Sequence, residues 1–127
     1  MIFLEFFAPL VSWLIRLSLA VTFLYHGLPK FQGAEGFSAL FGFPVYVTYL
    51  IGIGEVGGAA GLVLGGLGMD KLTRLSGAVL ATIMAGTIYY VHWGIWDMMR
   101  GGMEFNVLIL LISLSFVTLG NRAFKKR

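Results

Sequence analysis

The chain is expected to fold as an all-α integral membrane protein: a four-transmembrane-helix antiparallel bundle with a short interfacial segment between helices 1 and 2. Three observations carry that expectation. Of its 127 residues, 58% are hydrophobic and only 12% charged, whereas roughly a quarter of a soluble domain is charged. Four stretches reach the length of about 20 helical residues that the hydrocarbon of a bilayer requires. No stretch alternates with period two, which sets aside a β-barrel, the other structure able to satisfy its backbone in lipid. The length gives room for one domain, residues 1–127.

The four spans are placed at about 6–25, 44–68, 75–96 and 103–120. The first is apolar apart from Arg16, and Pro9 falls in its first turn, where a missing N–H costs little. Glu55 is the sole charge in the second, His92 lies in the third, and Glu104 opens the fourth. Between the first two spans, Phe37, Leu40 and Phe41 have the i, i+3, i+4 spacing of a short helix lying in the interface. Asp70 to Arg74 reads as a tight basic turn and Asp97 to Gly102 as another short loop. Small residues let helix backbones approach in lipid. Gly57, Gly61 and Gly65, with Gly54 and Gly58 alongside, therefore predict close packing of the second span on the third, which carries Gly77, Ala81 and Ala85. The N-terminus has no basic n-region and no small-residue cleavage site, so it is not expected to be a cleaved signal.

Charge placement sets the expected orientation. With both termini cytoplasmic, the inner face holds Lys71, Arg74, Arg122, Lys125, Lys126 and Arg127 and the outer face only Lys30 and Arg100, six against two. A multi-pass protein of the plasma membrane is the expectation. The net charge of +3 is concentrated in a basic tail of the kind that faces anionic lipid, not in a stripe suited to nucleic acid. The absence of cysteine removes disulfides, thiolate metal ligands and thiol redox motifs.

The residues able to carry chemistry are few. A charge within the bilayer costs about 2.5–3.5 kcal/mol on insertion scales, so Arg16 and Glu55 are each expected to be paired. Arg16 lies ten residues beyond Phe6, or about 15 Å of rise, and Glu55 thirteen residues before Gly68, or about 20 Å. Those depths predict an Arg16–Glu55 ion pair, either fixing helix register or flooring a polar cavity. A second group gathers at the outer ends of the helices: His26 and Lys30 after the first, His92, Trp93, Trp96 and Asp97 after the third, Glu104 and Asn106 at the start of the fourth. Amphipathic rings are common at interfaces for their own sake. Even so, histidines that titrate near neutral pH suit proton handling. Haem or metal ligation by His26 and His92 would lack a third ligand or spacing motif, and no metal site is expected. The methionines form no stripe and read as packing.

The segments Arg16-Leu17, Phe23-Leu24-Tyr25-His26-Gly27-Leu28-Pro29-Lys30, Ile51 to Gly58, Val91-His92-Trp93 and Gly101 to Asn106 together resemble the DoxX family of small four-helix membrane proteins. The resemblance spans about residues 12 to 120. It implies association with membrane oxidoreductases, some relatives being subunits of a thiosulfate:quinone oxidoreductase. A chain without cysteine would need a quinone or a partner subunit for such a role. The leading expectation is a membrane subunit of a redox system. A quinone or similar small molecule would bind among Arg16, Lys30, Glu55, Glu104 and Asn106, with His26 and His92 passing protons. The alternative is a non-catalytic assembly subunit whose glycine-lined helices dock on protein partners or on a second copy. A small transporter is less favoured, since no inverted repeat is evident.

Overall fold

The computed structural model describes residues 2–124. The basic residues Lys125, Lys126 and Arg127, which contribute half of the inner-face count, lie outside the described residues. Six α-helices follow one another: α1 (Ile2–Glu5), α2 (Ala8–Gly27), α3 (Ala34–Phe41), α4 (Val45–Gly65), α5 (Asp70–Thr87) and α6 (Glu104–Leu119). No strand occurs among the described residues. Four of the helices, with their flanking turns, are long and apolar enough to cross a membrane, and their windows are no more than 39% buried inside the protein. The surface they leave apolar requires hydrocarbon around it. This is a multi-pass membrane protein.

Local sequence accounts for the boundaries. Pro9 sits in the first turn of α2, and Pro44 precedes α4 in an extended conformation. Between them α3 ends at Gly42, which adopts a left-handed φ of +71° and lets the chain reverse into Pro44. The third span begins earlier than expected. Asp70 to Arg74 is the first turn of α5 and not a loop, held by the Arg74 Nε–Asp70 Oδ2 contact at 2.7 Å, with an acid where the helix dipole favours one. At its other end α5 widens into a π-helical turn, Ile88–His92.

α2 packs on α4, α4 on α5 and α5 on α6, while no comparable backbone approach joins α6 to α2. Leu19, Phe23, Leu62, Leu80, Ile109 and Phe116 fill the centre. The glycine row does bring α4 against α5, but through a different set than the simple four-residue spacing implies. An added Cβ at Gly54, Gly58, Gly61 or Gly65 would meet Ile83, Leu80, Ser76 or Thr73 of α5, whereas one at Gly57 would meet nothing within 4 Å. The spacing 4, 3, 4 keeps the row on one helical face. Gly77 serves the other neighbour, where a Cβ would come within 2.9 Å of the Ser113 carbonyl oxygen of α6, and Ala85 is exposed.

This assignment is testable by thermal denaturation in detergent. Gly65→Ala places its methyl 2.7 Å from the Thr73 backbone nitrogen and is expected to cost about 1–3 kcal/mol. Gly57→Ala should be neutral or stabilising, since alanine is the better helix former by up to about 1 kcal/mol. Equal melting points for the two variants would refute the assigned face.

Candidate functional site

α2 passes directly into a 3-10 turn, Leu28–Phe31, whose Pro29 contributes no N–H. The turn folds Lys30 back onto the bundle. Its Nζ donates to the His26 carbonyl oxygen at 2.8 Å and to Glu55 Oε2 at 2.8 Å, and it lies 4.8 Å from the Phe37 ring centroid of α3. Both members of the ion pair are buried, Lys30 being 8% and Glu55 6% exposed. Close backbone approach makes the contact possible. A Cβ on Gly27 would stand 2.9 Å from the Glu55 Cβ, and one on Gly52 3.3 Å from the Lys30 Cβ. The pair therefore sits in the seam where the end of α2 meets α4, and the ammonium is neutralised on one side and covered by an aromatic face on another.

Beside this pair lies a cavity of about 290 Å³ lined by His26, Lys30, Glu55, His92 and Asn106. Phe37 and Phe41 of α3 line it from above, and Thr22, Met84, Thr87, Phe105 and Ile109 come from the spanning helices. The π-helical turn places His92 at the wall, its Nδ1 2.6 Å from the Gly101 carbonyl oxygen. A carbonyl only accepts, so that nitrogen carries the hydrogen of the contact. Asn106 Nδ2 donates to the Met84 thioether at 3.3 Å, a weak acceptor that leaves the amide free to turn to a better one. His26, the most exposed of the five, stacks edge-on to Tyr25 at 5.5 Å. The cavity thus offers an ammonium, an amide and two imidazoles to a small polar group, within walls that are otherwise mostly apolar.

Two of the residues expected to bind the small molecule lie elsewhere, and Trp93, Trp96 and Asp97 do not line the cavity either. Glu104 does not reach the cavity: its Oε1 accepts from the Met98 N–H at 3.1 Å and so fastens the loop before α6. Arg16 does not meet Glu55. It is 1% exposed, and its Nη1 donates to the Leu62 carbonyl oxygen at 2.7 Å and to Thr73 Oγ1 at 3.3 Å. Its Nη2 donates to Asn121 Oδ1 at 2.8 Å, and the guanidinium lies 4.6 Å from the Phe116 ring centroid. The expected pairing fails on register. Trp13 and Arg16 lie against Gly66, and Gly27 against Glu55, so the end of α4 is level with Trp13 and not with Phe6. Arg16 is consequently nearest Leu62, seven residues or about 10 Å of rise from Glu55.

The network around Arg16 includes residues that no sequence pattern singles out. Asn121 Nδ2 donates to the Gly65 carbonyl oxygen at 2.9 Å and its backbone N–H to Asp70 Oδ1 at 2.7 Å. Arg74 donates to the Val117 and Thr118 carbonyl oxygens, and Ser12 to that of Ala123. Gly120, at φ +56°, turns the chain into this cluster with the Asp70 carboxylate pressed against its Cα, where a side chain has no room. Every carbonyl freed at the end of α4 or α6 that these groups reach is satisfied inside the protein, as hydrocarbon surroundings demand.

The DoxX family model matches residues 11–93, well over half of the chain. The chain belongs to the DoxX family. It is also 35% identical over 112 residues to a Bacillus subtilis (strain 168) protein named "Putative oxidoreductase CatD", a match covering 86% of this chain and 78% of that protein. No solved structure matches. Within the part that matches the family lie Arg16, His26, Lys30, Glu55 and His92; Asn106, which completes the cavity in this DoxX chain, comes from α6 beyond it.

The two polar clusters make distinct thermodynamic predictions. Lys30→Met and Glu55→Gln each break the buried pair, and the Lys30→Met change is expected to cost about 3–5 kcal/mol by stranding a buried carboxylate. Combined, they should cost clearly less than their sum. Arg16→Met and Glu55→Gln should instead add to within about 0.5 kcal/mol. Reversible unfolding in mixed detergent micelles measures both cycles, and strong Arg16–Glu55 coupling would overturn the register that sets Trp13 level with Gly66.

Proposed function

We propose that this chain is a membrane subunit of a redox system and that the cavity between α2, α4, α5 and α6, roofed by α3, binds the head of a quinone. The observation that carries the reading is the convergence of His26, Lys30, Glu55, His92 and Asn106, from separate elements of the bundle, on one small cavity. A quinone head is a flat apolar ring with two carbonyl oxygens, and it asks for apolar walls with a few placed donors. Lys30 and Asn106 supply donors to those oxygens. Glu55 holds the Lys30 Nζ in place, at 2.8 Å. Reduction of a quinone to its quinol takes up two electrons and two protons. His26 and His92 are the groups placed to pass the protons, and the electrons come from a partner oxidoreductase subunit. The name of the Bacillus subtilis relative, an oxidoreductase, agrees with a redox setting.

In this reading the chain lies in the plasma membrane with both termini cytoplasmic, as the distribution of lysine and arginine favours, and the cavity opens towards the outer face. The competing assembly role loses its main support. The glycines of α4 that would have offered a docking face are covered inside the bundle, Gly54, Gly58, Gly61 and Gly65 by α5 and Gly52 by the turn after α2, apart from Gly57.

Binding of a tailless benzoquinone to the protein in lipid nanodiscs, followed by tryptophan fluorescence, tests the reading. Asn106→Leu and His92→Phe should each weaken binding about five- to tenfold, the loss of one hydrogen bond, with the melting temperature held. Unaltered affinity in both variants would reject a head site in this cavity.

A further inference from the structure

The geometry points to the crevice between α2 and α6 as the seat of a long hydrocarbon tail belonging to the same molecule whose head occupies the polar cavity; the ligand class is then a prenyl quinone drawn sideways from the bilayer, and this rests on the head reading above. A second cavity, about 250 Å³, runs along this seam and is lined by Leu14, Ile15, Ser18, Leu19 and Ile112 among others. Three residues, Thr22, Phe105 and Ile109, belong to its wall and to the wall of the polar cavity alike. The two spaces therefore adjoin at these residues.

Four features assign the occupant. From Val11 to Thr22 the crevice follows twelve residues of α2, eleven steps or about 16 Å of rise along the helix axis, which is the direction in which chains lie in a bilayer. Its lining is apolar apart from two hydroxyl residues, and Thr22 Oγ1 already donates to the Ser18 carbonyl oxygen at 2.8 Å. Its rim faces outward, with Leu14 53% and Phe105 45% exposed, so in a membrane it opens on lipid and not on water. Its far end is closed by contacts that tie α2 to the end of α6, Ser12 to the Ala123 carbonyl oxygen and Arg16 to Asn121. A tail can thus pass from the polar cavity down the seam only as far as that closure. A head group reaches its site through the hydrocarbon without crossing the aqueous face.

A larger apolar shelf, about 930 Å³, lies on the other side of His26 between α2 and α3 and includes Gly36 and Leu40. It is the rival seat, and it differs by opening at the level of the interfacial helix instead of along the spans.

The test uses the intact protein in nanodiscs and a prenyl quinone with a diazirine in its tail, mapped by mass spectrometry after photolysis. Labelling is expected at Leu14, Ser18 or Ile112 and should be suppressed by excess tailless benzoquinone. Ser18 is exposed to lipid, so Ser18→Phe fills the crevice without disturbing the core. It should cut that labelling about tenfold, equivalent to about 1.4 kcal/mol of tail packing, while tailless benzoquinone still binds with the wild-type affinity. Labels on Gly36 or Leu40, indifferent to Ser18→Phe, would overturn the crevice assignment and leave the head site standing. Labels in the crevice equalled by a diazirine phospholipid and not suppressed by benzoquinone would overturn it in favour of an ordinary lipid chain. Failure of tailless benzoquinone to bind the wild-type protein would remove the head site itself, and the tail assignment with it.

Discussion

The arrangement of this bundle depends on the Lys30–Glu55 ion pair. A carboxylate in the middle of a spanning helix has no water to turn to, and its cost is offset only by a partner brought into the same dry space. Lys30 is carried there by a turn and not by a helix, because the 3-10 segment after α2 folds the chain back over its own end. Everything that follows in the chain is set by that fold-back. α3 is laid across the top with Phe37 against the ammonium, its Ser38 bonds Thr48 of α4 at 2.6 Å, and the cavity beneath is what the roofed end of the bundle cannot fill.

Arg16 solves the same physical problem differently. Among the described residues it has no direct acidic partner, and it is held by a carbonyl, a hydroxyl, an amide and two aromatic rings. The Asp70 carboxylate reaches it through Asn121, whose backbone N–H meets Asp70 and whose side-chain amide bonds Arg16, Thr73 and Gly65 in fixed directions. The lone buried cation Arg16 and the buried Lys30–Glu55 pair are thus satisfied about 10 Å of rise apart, one by a network of dipoles and one by a salt bridge. The network braces three helix ends, and the salt bridge borders an open space. In the proposed reading, that asymmetry separates the bracing cluster from the ligand site.

The spans were legible in the sequence because hydrocarbon admits so few alternatives, and the observed helices fall within a few residues of the expected limits except in the third span, where α5 begins at Asp70 instead of 75 and ends at Thr87, with its π-helical turn reaching only His92 instead of 96. At its start an acid and a base spaced i, i+4 read equally well as a polar turn or as a helix's first turn. Most of the cavity was legible too. His26, Lys30, His92 and Asn106 all fall at the same end of the bundle, the C-terminal ends of the first and third spans and the N-terminal end of the fourth, which topology alone brings together. The true partner of Glu55 was not recoverable from depth alone, because a depth counted from Phe6 misplaces the face: α2 begins at Ala8, after a separate short helix. An error of a few residues in the reference level is enough to set two side chains about 10 Å apart. Asn121 carried no signal, since an amide after the last span looks like a loop residue until the chain is seen to turn back at Gly120.

The open seam between α2 and α6 also follows from composition. Helices in lipid gain nothing from hiding apolar surface from one another, so close contact needs small residues or polar groups at the interface. α4 presents glycines to α5, and α5 presents Gly77 to α6. The facing surfaces of α2 and α6 instead carry mainly leucine, isoleucine, valine and phenylalanine, bulky enough to hold the backbones apart, and the Thr22 hydroxyl among them bonds back to the Ser18 carbonyl oxygen of its own helix. Polar contacts join the two helices near the Arg16 network, through Ser12 and Asn121, and there the seam is shut. Towards the cavity, where α6 offers Phe105 and Ile109, nothing draws the helices together. A bundle whose glycines are distributed in this way closes three of its interfaces and leaves the fourth accessible from the membrane, next to its only gathering of imidazoles among the described residues.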